Sequence, residues 1–240
     1  MADVDVHEQP ETAEVEKPVS TRTRALRYYT PREVAMHNTG EDCWVSIFHR
    51  ILDLSELIQE HRGLLTQPLI LHAGEDISHW FDPATQDVRK HVDAGRNVEL
   101  PFLPYGRFLN VPPPEPTSNW STTDAVPWWK DAKYVVGKLT TKVRWIEIVN
   151  VLTQQHHALE VCCEETIEEI QARYLRFNAH ARSYTWKYLD DDDFVPLNMK
   201  QTLEENGIPD ESPLFEKLDM DEQQYKPSLY IYFNDDLTVA

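Results

Sequence analysis

The feature that most constrains this chain is a proline-rich stretch near its middle. Residues 110–129 read NVPPPEPTSNWSTTDAVPWW and show no hydrophobic period. Proline fixes φ and removes a backbone donor, so such a stretch favours extended polyproline conformation over a helix or an inner strand. It predicts a linker over residues 111–138. In a chain of 240 residues this leaves room for two domains of ordinary size, over 28–110 and 139–240.

The linker also carries tryptophans, at Trp120, Trp128 and Trp129. An unstructured linker rarely keeps three indoles in water, because each offers a large apolar surface. Two interpretations stay open. The segment either wraps along a domain of the same chain or binds an external partner.

Charge restricts the partners. The chain has 41 acidic and 23 basic residues, a formal net charge of −18. Such a chain repels phosphates, so we expect neither nucleic acid nor an anionic membrane as partner. Residues 139–240 hold 20 acids against nine bases, net −11. Asp190–Asp193 is predicted to be a solvated loop, with a basic partner surface as the alternative.

The first 27 residues predict a disordered acidic tail with a basic neck at 22–27, since they cannot bury enough apolar surface to order themselves. They contain no apolar signal region, which predicts a soluble intracellular protein. The three cysteines, Cys43, Cys162 and Cys163, lack metal-ligand spacing and are expected to be reduced apolar fillers.

The first domain is predicted to be α+β. Thr30, followed by Pro31 and Glu33, forms a capping box for a short helix. Residues 44–48 and 50–54 have hairpin spacing, and Ser55 is expected to cap a helix that ends at His61 before Gly63. Further short helices are predicted around 68–72, 77–81 and 85–92. Short helices round a small sheet suggest a domain that encloses something.

The second domain is predicted to be a small mixed sheet crossed by one helix. Residues 143–151 and 158–162 are β-prone, and Thr166 can cap a helix over 167–177. Two later runs, 184–189 and 229–233, complete the sheet. The apolar stripe of the helix must be covered by that sheet.

Two of the ten histidines are candidates for a cofactor site. His61 ends a helix where the chain turns, and His91 lies 30 residues later on a predicted helical stretch. Two histidines facing each other across an apolar slot fill both axial positions of a haem iron and leave none for substrate. Such a site would transfer electrons.

Residues 28–92 resemble the cytochrome b5 haem-binding family in order and spacing. The resemblance rests on a set of short motifs: YTPREV, DCWVS, ILDL, EHRG, AGEDI and WFD. It implies a fold in which two helix pairs clasp haem b, each giving one axial histidine. His61, in His-Arg-Gly-Leu instead of the family's His-Pro-Gly-Gly, corresponds to the first ligand. Residues 83–87, at the second ligand's place, contain no histidine, and the nearest later one is His91.

The rest of the chain extends the resemblance. Residues 28–240 resemble one branch of that family, through motifs such as DISHWFDP, SYTWKY and YFNDDL. This implies a cytoskeletal component of the motile ciliary axoneme (cilium or flagellum), partnered by radial spoke subunits and tubulin-associated proteins, and a redox sensitivity of beating. Residues 139–240 resemble a ubiquitin-like β-grasp. They end in LTVA without the Gly-Gly of conjugated proteins, so we expect this domain to bind rather than be transferred.

Two functions follow as hypotheses. The first is a non-catalytic structural and interaction protein. The alternative is a soluble haem electron-transfer protein that uses His61 and His91 as iron ligands. Hydrolytic chemistry is not supported, because the sequence has no Gly-x-Ser-x-Gly, no His-Glu-x-x-His and no phosphate-binding glycine loop.

Overall fold

The computed structural model describes residues 26–95, 97–113, 115, 126–221 and 225–233. The predicted acidic tail up to residue 25, Trp120 and the last seven residues therefore lie outside the described part of the chain. Two hydrophobic cores are present, one among residues 43–134 and one among residues 146–231. We call the corresponding parts the first and second modules.

The first module is built on a four-stranded sheet with the order β1-β8-β3-β2. Its elements in chain order are β1 (Tyr28–Tyr29), α1 (Pro31–Ala35), β2 (Trp44–Ile47), β3 (Arg50–Asp53), α2 (Ser55–Glu60), α3 (Gln67–Leu71), β4 (Phe81–Asp82), β5 (Asp87–Val88), β6 (Lys90–Asp93), β7 (Val98–Pro101) and β8 (Val135–Leu139). Strand β8 is parallel to β1 and antiparallel to β3. Strands β4–β5 and β6–β7 form two separate hairpins.

Several local predictions are confirmed here. The Thr30 hydroxyl accepts the Glu33 amide while the Glu33 carboxylate accepts the Thr30 amide, which is the predicted capping box. The β2–β3 hairpin turns through Phe48 and His49, both with positive φ, as a two-residue turn requires. Ser55, however, is the first helical residue and not the cap. Its hydroxyl bonds to the Asp53 carboxylate instead.

The second half of the segment predicted as a linker lies in the first core. Trp128 and Trp129 are 1% and 3% exposed, and Tyr134 is also buried. Residues 135–139 form β8, which pairs with β3. Burial of two indoles outweighs the extended preference of the nearby prolines, so residues 126–138 pack within this chain.

The second module is a five-stranded sheet with the order β10-β9-β13-β11-β12. Its elements are β9 (Val143–Asn150), β10 (Gln155–Cys162), α4 (Ile167–Tyr174), β11 (Tyr184–Asp190), β12 (Asp193–Pro196), α5 (Ser212–Lys217) and β13 (Ser228–Phe233). Strand β13 is parallel to β9, and the other pairs are antiparallel. The sheet is therefore mixed, as predicted.

Helix α4 covers one face of this sheet. Thr166 forms a capping box with Glu169, and Ile167, Ile170 and Tyr174 are fully buried against the sheet. The predicted helix is one turn too long, since Phe177 lies beyond its end and is 43% exposed. Residues 190–193 are exposed as predicted, but Asp190 and Asp193 pair at the ends of β11 and β12, so only residues 191–192 form the turn. Among the described residues, no helix has the length and apolar character needed to cross a membrane.

Candidate functional site

His61 lies where the sequence predicts it, at the C-terminal end of α2. Its amide donates to the Leu57 carbonyl at 3.1 Å, in the last turn of the helix, and the residue is exposed. Among the described residues we find no hydrogen bond or ion pair to its imidazole. An open groove of about 300 Å³ between α2 and α3 lies beside it, lined by Ile58, Arg62 and Gly63 but not by His61 itself.

His91 lies on a strand, so the predicted helix over 85–92 is wrong. Residue 91 is on β6 opposite Leu100, and its ring centre is 6.0 Å from that of Phe102. The hairpin forms because Asp93 accepts the Gly95 amide and Asn97 takes a left-handed conformation, both typical of turns. This turn chemistry, read from the sequence, would have predicted the hairpin.

The place of the family's second ligand is a tight turn between β4 and β5. The Asp82 carboxylate accepts the Ala84 and Thr85 amides, and Gln86 has a positive φ of 52°. The turn is fixed by its own hydrogen bonds. It offers no imidazole to a metal.

Aromatic side chains fill the interior behind these two hairpins. Ring centres of Phe81, Phe108, Trp128 and Trp129 lie 5.5 to 6.3 Å from one another. The Trp128 indole donates to the Leu109 carbonyl at 3.1 Å. The chain's own rings therefore occupy this part of the core.

These placements test whether the residues fit a haem held by two histidines. His61 has the exposure and the helix-end position of a first axial ligand. Neither His61 nor His91 lines the groove between α2 and α3, so that groove does not bring the two imidazoles together. The described conformation therefore does not complete a two-histidine clasp, and the pair stays a prediction. In the described part of the chain, no group of three or more histidine, cysteine or acidic residues could hold a metal ion.

A second cluster, which sequence reasoning missed, joins the two modules. Arg173 on α4 contacts the Glu165 carboxylate at 2.7 Å and the Glu33 carboxylate of α1 at 2.5 Å, and it donates to the Tyr28 carbonyl at 3.3 Å. The side chains of Arg173 and Glu165 are only 7% and 1% exposed. We call Arg173, Glu165 and Glu33 the junction triad.

The charges of the triad stabilise one another. Burial raises the pKa of Glu165, although Arg173 opposes this rise. Burial alone would also raise the pKa of Glu33, but hydrogen bonds from Arg173 and Thr30 bring it below its usual value. Burial disfavours the Arg173 cation, yet the two carboxylates hold its pKa above the usual range. A buried cation between two carboxylates thus connects α1 to α4.

Glu164 holds the short connection between β8 and β9. Its carboxylate accepts the Thr140 hydroxyl at 2.5 Å, the Thr141 amide at 2.8 Å and the Thr141 hydroxyl at 2.7 Å. Burial would raise the pKa of Glu164, but these hydrogen bonds lower it to about 2. The connection is therefore fixed by the second module.

The lowered pKa of Glu164 makes a prediction about acid stability. A carboxylate whose folded pKa lies below its unfolded value stabilises the fold above the unfolded pKa, and this contribution disappears as pH falls from about 4.5 through about 2. We expect Glu164→Gln to lower the free energy of unfolding at pH 7 by about 1 kcal/mol, since exposure to solvent weakens the interaction. Denaturant unfolding at pH 7 and pH 2 tests this. The difference between the two proteins should be much smaller at pH 2 than at pH 7, since Glu164 is then partly protonated even in the folded state, and a difference independent of pH would contradict the prediction.

Comparison with known proteins gives the family. Residues 30–140 match the family described as cytochrome b5-like Heme/Steroid binding domain. A Xenopus laevis protein named cytochrome b5 domain-containing protein 1 is 50% identical over 213 residues, which are 88% of this chain and 96% of that protein. The chain belongs to the cytochrome b5 domain-containing protein 1 family. The Homo sapiens protein of that name is 51% identical over 88% of this chain and 92% of its own length.

Cytochrome b5 itself is a more distant relative. That of Sus scrofa is 35% identical over 80 residues, 33% of this chain and 55% of that protein. The resemblance found in residues 28–92 is therefore confirmed at the level of the family. Membership supports haem binding in general and leaves the iron ligands of this chain to experiment.

Proposed function

We propose that this protein is a non-catalytic interaction subunit of the motile ciliary axoneme. In this proposal it associates with radial spokes, contacts spoke subunits and tubulin-associated proteins, and modulates beating with a redox response through haem. The resemblance of residues 28–240 to one branch of the cytochrome b5 family supports the location. The junction triad is the observation that supports the interaction role. Its buried ion pairs join the two modules, as suits a protein that holds two binding modules at a fixed spacing.

We further infer that the second module is a ubiquitin-like β-grasp. Numbered within the module, its strands run in the order 2-1-5-3-4, the first and last strands are parallel, and the long helix follows the second strand. Helix α4 then packs on one face of the sheet. A module of this kind functions by binding.

Fractionation of cilia tests the proposed location. A tagged full-length chain should stay with the axoneme after the membrane is removed by detergent, and it should be lost from axonemes that lack radial spokes. As a control, a soluble matrix protein should leave with the detergent. Complete release of the tagged chain by detergent, or its retention without spokes, would contradict the radial spoke assignment.

A second candidate function is electron transfer by haem b with His61 and His91 as iron ligands. It is favoured by the family match over residues 30–140 and by the position of His61 at the end of α2. Haem would supply a one-electron couple to the chain. The protein's part would be to give two imidazoles, one from the end of α2 and one from strand β6.

Titration with haemin tests this second function. If both histidines bind iron, the purified chain should show the optical spectrum of low-spin, bis-imidazole iron, and His61→Ala and His91→Ala should each abolish it. His180→Ala, an exposed histidine of the second module, is the matched control and should leave the spectrum unchanged. Absence of binding, or a spectrum that survives both substitutions, would exclude this ligand pair.

A further inference from the structure

A groove of about 500 Å³ crosses the second module where β9 begins. One wall is residues 208–212, which lead into α5, and the other is residues 225–227, which lead into β13. It is larger than the groove of about 300 Å³ between α2 and α3 in the first module. Neither the family match nor the proposed function assigns it a role.

Four aromatic side chains line this groove, namely Trp145, Tyr188, Phe215 and Tyr225. Trp145 is 36% exposed and Tyr225 is 49% exposed, so both rings are open to solvent. The rings of Phe215 and Tyr225 lie 5.1 Å apart and are inclined by 34°. Large rings gathered on an exposed surface are typical of a site that a ligand covers.

The two exposed rings also carry hydrogen-bond donors. Among the described residues we find no acceptor for the Trp145 indole N–H or for the Tyr225 hydroxyl. By contrast, the buried indoles of Trp128 and Trp186 donate to backbone carbonyls at 3.1 and 3.3 Å. An exposed ring with an unused donor can pack against an apolar group and donate to a carbonyl beside it.

The charges at the floor of the groove are already compensated within the chain. Asp210 pairs with Lys142 at 2.5 Å. The Arg144 guanidinium, in a residue that is 7% exposed, donates to the Ile208 and Pro209 carbonyls at 3.1 and 2.7 Å. Burial lowers the pKa of Arg144, while the charge of Asp210 acts in the opposite direction. A charged ligand therefore gains little from these groups.

Two further charged side chains line the groove, and they are opposite in sign. The Lys226 ammonium lies 5.5 Å from the centre of the Trp145 ring, and Glu211 is exposed on the other wall. An acidic ligand would be repelled by Glu211 and a basic ligand by Lys226. The groove is therefore matched by an uncharged ligand with apolar rings and carbonyl acceptors.

We propose that this groove binds an uncharged, proline-rich segment of a partner polypeptide in the extended polyproline conformation. Proline rings pack on the faces of Trp145 and Tyr225, and carbonyls of the segment accept the indole N–H and the hydroxyl. Proline has no backbone N–H that would need an acceptor, and its fixed φ reduces the entropy lost on binding. The inference deepens the proposed interaction role and rests on it for the occupant being a protein.

The chain has a proline-rich run of its own, PPPEP at residues 112–116, which precludes no partner but could bind the groove of a second copy. The start of that run is held in the first module. Val111 is 1% exposed, and the Asn110 carboxamide accepts the Trp128 amide at 3.4 Å. We therefore assign the occupant to another protein, and the experiment below includes the second copy as a contrary outcome.

Synthetic peptides test the groove on the purified full-length chain. N-acetyl-decaproline amide is the probe, and an uncharged glycine–serine peptide of the same length is the matched control. Binding is followed by shifts of the Trp145 indole signal in ¹⁵N spectra, assigned with Trp145→Phe. We expect the proline probe to bind at least about tenfold more tightly than the control, because it is already extended and offers rings to the groove.

Variants then locate the contact. Tyr225→Ala should weaken the proline probe at least about fivefold, and Tyr225→Phe, which keeps the ring and removes the hydroxyl, should weaken it less. Tyr105→Ala is the matched control and should leave the affinity unchanged, since Tyr105 is a similarly exposed tyrosine (48%) of the first module.

Three results would overturn the proposal. They are equal binding of the proline and control peptides, an unchanged affinity in Tyr225→Ala, and tighter binding of a probe in which one proline is replaced by aspartate or lysine. Dimerisation of the chain that decaproline reverses would assign the groove to a second copy and overturn the assignment to a partner. These assays use no axonemal material, so their failure is separate from a failure of the radial spoke assignment.

Discussion

Arg173→Met should lower the free energy of unfolding by about 3–5 kcal/mol at pH 7. The substitution removes the cation that Glu165, 1% exposed, and Glu33 share. Removing one partner of a buried ion pair is costly, because the remaining charge has lost both water and its counter-ion. Urea unfolding of the full-length chain measures the loss.

Second-site substitutions separate charge from packing in this experiment. Adding Glu165→Gln to Arg173→Met removes the stranded carboxylate and should recover part of the lost stability. The loss in Arg173→Met should also shrink as pH falls, because burial raises the pKa of Glu165 and protonation then neutralises it. An unchanged loss across pH would indicate that packing, not charge, is what Arg173 provides.

Arg32→Met is the matched control for this prediction. Arg32 also reaches the second module, through Glu160 at 4.0 Å, but its side chain is 75% exposed. An exposed ion pair contributes little, so we expect a change below about 1 kcal/mol. A large loss in Arg32→Met, or a loss below about 1 kcal/mol in Arg173→Met, would contradict the role given to the junction triad.

Short sequence motifs are sufficient to predict many of the helix starts and turns of the fold. The sequence predicts Thr30 and Thr166 as caps and the β2–β3 hairpin from its spacing, because a cap or a two-residue turn depends on residues close together in sequence. The junction triad could not be predicted in this way. Arg173 and Glu33 are 140 positions apart, and nothing in a single sequence indicates that an arginine of α4 pairs with a glutamate in the first turn of a distant helix.

The candidate haem site shows the same division. His61 was placed correctly, because a helix-ending glycine follows it closely. The sequence analysis predicts a helix around His91, but the turn signals at Asp93, Gly95 and Asn97 decide the local structure. Whether His91 faces His61 depends on how the hairpin and the helix pack in three dimensions. The number of residues between the two histidines does not determine that packing.

Trp128→Ala should also lower the free energy of unfolding strongly, by about 3–5 kcal/mol. The indole is 1% exposed, its ring centre lies 5.5 Å from that of Trp129 and 5.9 Å from that of Phe108, and its N–H bonds to the Leu109 carbonyl. Truncation leaves a cavity that a packed core fills only in part, and it leaves that carbonyl unpaired. Thermal and urea unfolding measure the effect.

Trp145→Ala is the matched control, because the same truncation is made at a ring that is 36% exposed on the second module. We expect a loss below about 1.5 kcal/mol there. A comparable loss in both variants would mean that an indole contributes similarly in either setting. A small loss in Trp128→Ala would mean that residues 126–138 are a connection and not part of the first core, as the prolines alone suggest. We expect the large loss in Trp128→Ala because burial of Trp128 and Trp129, and not the proline content, decides where residues 126–138 pack.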